Sequence, residues 1–222
     1  MEGKKTYLTE AISTFILVFI GAGSVLADGI GADIGIVGVA LAHGLVLMSM
    51  IYATAHISGA HINPAVTVGM WITRKISSRN AILYIISQLI GAGIAGFLLS
   101  VIFTAPTELN LGVPALGEGV SFWSGIVTEV ILTFFLVFTI FGVAVDKRAP
   151  TGFYGLAIGL VLTFDILVGG ILTGAAMNPA RAFGPALASG FWNNHLVYWI
   201  GPIIGSVIAA LTYNNMFLKK RW

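Results

Sequence analysis

Cysteine is absent from this chain of 222 residues. That excludes a disulfide framework, a thiolate metal site and a cysteine nucleophile, and it leaves the redox compartment open. Charge is scarce as well: Asp, Glu, Lys and Arg make up 9% of the residues, against roughly 25% in an ordinary soluble domain. With 57% of the residues hydrophobic, a soluble core this small has no room for the apolar surface on offer. Lipid must be the solvent for most of the chain. Glycine, by contrast, is plentiful at 28 residues, which suits membrane helices packed closely through small side chains.

Apolar windows of about 20 residues predict spans near 7–27, 34–54, 81–103, 122–143, 153–172 and 196–216. The first stretch, from Tyr7 to about Ala27, is interrupted by Glu10 and has no small-residue cleavage site, so it is expected to be a permanent span rather than a signal peptide. Six spans put both termini on one side. Lys4, Lys5, Arg74, Lys75, Arg79, Lys147, Arg148, Lys219, Lys220 and Arg221 all fall on that side, ten of the 11 basic residues. By the positive-inside rule it is cytoplasmic, and a multi-pass protein of the cell membrane is expected. The opposite connections carry Asp28, Asp33, Glu108 and Glu118, and Arg181 is their single cation. The net charge of +2 is explained by this topology, so no nucleic-acid role is expected.

Two connections are too apolar for solvated turns and too broken by Gly and Pro to cross a bilayer: residues 55–71 and 172–188. Nine helical residues from Asn63 to Trp71 reach roughly 13 Å, about half of a hydrocarbon core. Half-helices that enter and stop at the midplane fit this length.

The chain also repeats itself. Glu10-x-x-x-Thr14-Phe15-x-Leu17-Val18-Phe19 recurs as Glu129-x-x-x-Thr133-Phe134-x-Leu136-Val137-Phe138, and Ser58-Gly59-Ala60-x-x-Asn63-Pro64-Ala65 recurs as Thr173-Gly174-Ala175-x-x-Asn178-Pro179-Ala180. A unit of three spans plus a half-helix is therefore duplicated, over about 1–110 and 115–222 of a single domain covering 1–222. Three is odd, so the second copy is inverted and the two half-helices enter from opposite faces. Asn is a favoured N-cap and Pro a favoured first helical residue, which makes Asn63-Pro64 and Asn178-Pro179 helix starts.

The paired Asn63-Pro64-Ala65 and Asn178-Pro179-Ala180 motifs, with Glu10 and Glu129 in the first span of each half, the Phe183-Gly184-Pro185 segment and the Tyr198-Trp199-x-Gly201-Pro202 segment, resemble the aquaporin or major intrinsic protein family over essentially the whole chain. The resemblance implies an all-α membrane protein with six transmembrane helices and two re-entrant half-helices, four monomers forming a homotetramer with a pore in each. It implies a passive water channel that rejects protons and ions. Two helix N-termini facing one point oppose a cation. The asparagine amides would offer N–H groups to the lumen, and the carbonyls of Gly59, Ala60, His61, Ile62, Gly174, Ala175, Ala176 and Met177 would form an acceptor track. Glu10 and Glu129 would hold backbone N–H groups of the half-helix lead-ins.

By spacing from the motifs, the family's selectivity constriction corresponds to His43, Ile166, Ala175 and Arg181. A permanent charge in a narrow apolar channel makes Arg181 a functional candidate. Strict water channels of the family carry Phe, His and Cys ahead of the Arg, and this sequence departs at all three. His43, Ile166 and Ala175 are instead similar to the plant vacuolar-membrane subgroup, and a wider filter follows. Ala182 and Ala186, where glycerol conductors of the family place Asp and a basic residue, favour water; glycerol, ammonia and urea stay open as further solutes.

No nucleophile–base pair and no metal-ligand spacing is evident, so neither an enzyme nor a metal or other cofactor is expected. An ion-coupled transporter shares inverted repeats but needs an ion-binding set of carboxylates or carbonyls with a coupled substrate site. Here the pore candidates are two amides, an imidazole and a guanidinium. His56 and His61 flank the first lead-in, where a pH-responsive gate or a satisfied hydrogen-bonding role both fit; His195 reads as an interfacial loop residue. Asp165, beside Ile166 in an apolar span, has no evident cation; contact with His43 or with a neighbouring subunit would each give it a partner.

Overall fold

The computed structural model describes residues 2–104 and 107–218. Lys219, Lys220 and Arg221, counted above among the cations of one face, and the side chain of Glu108 lie outside the described residues. Every regular element among the described residues is helical, in the order α1 (Glu2–Ala27), α2 (Gly35–Ser58), α3 (Pro64–Ile72), α4 (Ser78–Ile102), α5 (Phe122–Ile140), α6 (Tyr154–Thr173), α7 (Pro179–Ser189) and α8 (Val197–Thr212). All except α3 and α7 are long and apolar enough to cross a membrane, α5 and α8 each extended by a wide π turn. The short pair, of 9 and 11 residues, reach only about 13 and 16 Å.

The polarity of the molecule is inverted relative to a soluble bundle. On α4 the isoleucines at 82, 86, 90 and 94 recur every fourth residue and all face outward. Inside lie Glu10, Gln88, Glu129, His43, Asn63, Asn178 and Arg181, each buried. Such a pattern needs lipid outside and a polar pathway within.

The second span runs to Ser58, four residues beyond its expected end. Nothing in Ala55-His56-Ile57-Ser58 breaks a helix, and termination waits for Gly59, whose φ of +86° makes the left-handed C-cap. Gly174 ends α6 in the same way at φ +78°. The lead-ins to the half-helices are thus the short segments 59–63 and 174–178.

Packing obeys the duplication. A β-carbon on Gly91 would lie 2.0 Å from the carbonyl oxygen of Ala11, pressing α4 onto α1, and one on Gly205 would lie 2.3 Å from that of Val130, pressing α8 onto α5. Where α2 crosses α6, Gly44 and Gly159 meet each other: a β-carbon on either would come within 2.6 Å of the other's carbonyl oxygen. Gly44 and Gly159 are repeat mates, 115 residues apart like Asn63 and Asn178. Mates that touch mark the pseudo-two-fold axis, which passes between α2 and α6.

Candidate functional site

Each lead-in is strained and then held. Ala60 and Ile62 have φ of +50° and +58°, and Ala175 and Met177 have +46° and +50°. For branched Ile62 in particular this region is unfavourable without outside support. Glu10, fully buried on α1, supplies it: Oε1 accepts from Ser58 Oγ at 2.7 Å and His61 N at 2.9 Å, and Oε2 from Ile62 N at 2.7 Å and Gln88 Nε2 at 2.8 Å. Glu129 repeats the pattern on α5, with Oε1 accepting from Thr173 Oγ1 at 2.7 Å and Ala176 N at 2.9 Å, and Oε2 from Met177 N at 2.7 Å. Both expected acids therefore grip lead-in backbone.

Sequence reasoning missed three helpers. Tyr84 and Tyr198 donate to the last carbonyl of the helix before each lead-in, Ser58 O of α2 at 2.7 Å and Thr173 O of α6 at 2.9 Å, and Gln88 adds a fourth donor to Glu10 alone. Tyr84 and Tyr198 stand in matching frames, 26 and 25 residues after the carbonyls they reach, and that recurrence was the signal available.

Asn63 and Asn178 cap their helices as expected. Asn63 Oδ1 accepts from Ala65 N at 2.8 Å, and Asn178 Oδ1 from Ala180 N at 3.0 Å and Arg181 N at 3.3 Å. The amide nitrogens differ from the expectation that all their N–H groups face the lumen. Asn63 Nδ2 donates to Met177 O at 2.8 Å, while Asn178 Nδ2 donates to Ile62 O at 3.1 Å, a reciprocal exchange across the pseudo-two-fold. One N–H of each amide is left without a protein partner among the described residues. The exchange also occupies part of two expected track carbonyls. Those of Gly59, Ala60 and His61 and of Gly174, Ala175 and Ala176 have no protein donor there.

A cavity of about 890 Å³ joins these groups. Its mouth is lined by Lys75, Asp146, Lys147 and exposed His56; it passes Gly59 to Asn63, Ala176 and Asn178, and it ends against His43 and Arg181. Arg181, 4% exposed, donates from Nε to His43 Nε2 at 3.3 Å and from Nη1 to Gly112 O at 2.6 Å. His43 Nδ1 lies 2.8 Å from Val39 O, an acceptor, so the proton sits on Nδ1 and the ring is neutral. Ile166 and Ala175 are buried and do not line this cavity, and Ala175 faces Gly169 of α6.

The remaining singled-out residues find plain places. His61 pairs with Thr67 Oγ1 at 3.1 Å and packs edge-on to Tyr84. His195 lies just before α8 between Trp192 and Trp199, its Nε2 accepting from Trp199 Nε1 at 3.0 Å, and burial lowers its basicity. Neither expected partner of Asp165 is found: it is 1% exposed within the protomer, hence closed to a neighbouring subunit, and His43 is bonded elsewhere. Both of its carboxyl oxygens are buried without a hydrogen bond among the described residues.

A model of the family described as Major intrinsic protein matches residues 1–213. The chain belongs to that family. Among its relatives in the family, Aquaporin TIP4-4 of Zea mays is 44% identical over 97% of this chain and 88% of its own length. Aquaporin AqpM of Methanothermobacter marburgensis is 42% identical over 96% and 97%. The solved aquaglyceroporin from Plasmodium falciparum superposes with a TM-score of 0.86 over 96% of both chains, at 24% identity, and shows the shared major intrinsic protein fold. Family membership makes this a multi-pass membrane channel and not an enzyme.

Proposed function

We propose that the protein is a passive water channel that excludes protons and ions. The observation that carries this reading is the reciprocal exchange at the midplane: two helix starts meet there, and each asparagine keeps one amide N–H for the cavity. A water between them presents its oxygen to both donors. Its own hydrogens then point away in opposite directions, and the chain of donors and acceptors along which a proton would hop is interrupted. Each helix start also carries about half a positive charge, so a cation that must shed water to pass meets repulsion there. The free carbonyls of both lead-ins supply acceptors on either side.

Arg181 with His43 is the proposed outer filter, and Ile166 and Ala175, which stand outside the lining of the described cavity, are its proposed apolar walls where the path continues; small neutral solutes such as glycerol, ammonia or urea are proposed to pass beside water. An ion-coupled transporter is disfavoured by the same exchange, because the two halves are tied where a rocking bundle would have to part. In this reading the two inverted repeats, about 1–110 and 115–222, form one channel domain. Four copies associate as a homotetramer in the cell membrane with both termini cytoplasmic; Lys75 and Lys147, at one mouth of the cavity, support that orientation.

Stopped-flow light scattering on proteoliposomes tests it. Sucrose should drive shrinkage faster than in empty liposomes while an imposed proton gradient persists. Shrinkage equal to that of empty liposomes, or a gradient lost as fast as with a proton ionophore, overturns the reading.

A further inference from the structure

Both acceptors of Arg181 rest on two consecutive residues of α1. An ideal β-carbon on Gly21 would lie 2.5 Å from His43 Nε2, 2.6 Å from Cδ2 and 3.1 Å from Cε1, so the imidazole sits on bare backbone. At the next residue, Ala22 supports Gly112, where a β-carbon would lie 2.7 Å from Ala22 O and 3.2 Å from its Cα and Cβ. Gly112 has a φ of +70° and gives Arg181 its carbonyl. Glycine within a helix is less favourable than alanine, so the backbone of α1 gains nothing from Gly21. The space above it is what the residue supplies.

We propose that Gly21 and Ala22 form a seat that sets the aperture of the outer filter, with Gly21 the positioning residue that determines how far His43 stands from the lumen. The proposal rests on Arg181 and His43 forming that filter. A methyl on Gly21 forces the ring to move, since carbon contacts below 3.0 Å do not persist. Behind the ring is α1, and its Nδ1 is bonded to its own helix at Val39. The open direction is toward Arg181 and the cavity that both residues line. Water has a radius of about 1.4 Å, so a displacement of even half an ångström narrows a single-file aperture severely.

Osmotic shrinkage is measured at matched protein content for the wild type, Gly21→Ala, His43→Ala, the double variant and Gly23→Ala. Gly23 is the control because a β-carbon there meets only Leu99 Cδ2, at 3.4 Å. Gly21→Ala should reduce water flux by about threefold or more, Gly23→Ala should match the wild type, and adding Gly21→Ala to His43→Ala should change little. Unchanged flux in Gly21→Ala, or an equal loss in both backgrounds, overturns the seat. Where Gly21→Ala alone does not fold, recovery of folded protein in the double variant supports the seat and its continued failure overturns it. Absent wild-type flux overturns the channel reading and the seat together, whereas wild-type flux with Gly21→Ala unaffected removes the seat alone.

Discussion

Arg181 leans its Nε on the unprotonated Nε2 of His43, 3.3 Å away, so a fixed cation is steered by a neutral ring. The matching position of the first repeat is Val66, also buried in its half-helix. Arg181→Val therefore copies a side chain the fold already accepts, removes the charge, and widens the outer pore while leaving both helix starts in place. Water flux should persist, glycerol or urea should enter faster than in wild type, and a modest proton leak should appear. Unchanged solute entry and unchanged proton tightness in folded Arg181→Val protein would remove Arg181 from the filter.

The absence of cysteine gives a second test. Mercurial reagents act on thiolates, so wild-type flux should be indifferent to them. Ala175→Cys should become blockable and should recover with added thiol. Persistent flux after confirmed labelling would show that position 175 lies clear of the water path.

Glu10 accepts from four donors and Glu129 from three. Glutamine in either place turns one acceptor into a donor that faces other donors, at about 1.5–3 kcal/mol for each charged hydrogen bond lost. Glu10→Gln and Glu129→Gln should both lower the thermal midpoint in detergent, Glu10→Gln by more. Equal stability to wild type would mean that the lead-ins hold themselves.

Asp165 presents the opposite case, a buried carboxyl with no hydrogen-bond partner among the described residues. Leucine has the same branching, is somewhat larger and needs no hydrogen bond, and relieving an unsatisfied polar group is worth about 1–3 kcal/mol. Asp165→Leu should raise the thermal midpoint and leave water flux within error. A loss of flux in stable protein would reveal a role in conduction.

At the cavity mouth Asp146 accepts from the guanidinium and the backbone N–H of Arg148, and the same guanidinium donates to Phe217 O at 2.7 Å. These bonds hold the carboxyl of Asp146 well below its ordinary range. A depressed carboxylate contributes stability above its unfolded value of about 3.9 and loses it as pH falls further, so the tie stays intact through neutral and mildly acidic pH. Asp146→Asn should therefore increase tryptic cleavage after Arg148 near neutral pH, without altering wild-type resistance down to about pH 5. Equal cleavage rates would mean the loop is held by other contacts.

What the sequence made legible was local chemistry in duplicate. Asn before Pro announced both half-helix starts, because a cap acts within a few residues, and an acid recurring in the first span of each half, read through the family resemblance, marked their supports 44 to 52 residues away. The reciprocal asparagine bonds were hidden, since whether Nδ2 of Asn63 reaches Met177 depends on how two halves meet across 114 residues. Gly112 was hidden for a related reason: its carbonyl serves Arg181 through a connection with no motif. Gly21 was one of 28 glycines, and only the ring packed over it sets it apart.

The bonds from Asn63 to Met177 and from Asn178 to Ile62 also bear on how such a chain can be divided. Severed in the connection before α5, each fragment would keep its own cap and its own acid, yet would carry one amide hydrogen and one carbonyl with nothing to meet in the middle of the bilayer. Neither fragment is a complete object. Co-translated pieces should be stable only as a pair, and in the intact protein the centre of the membrane is the last region that folding can close.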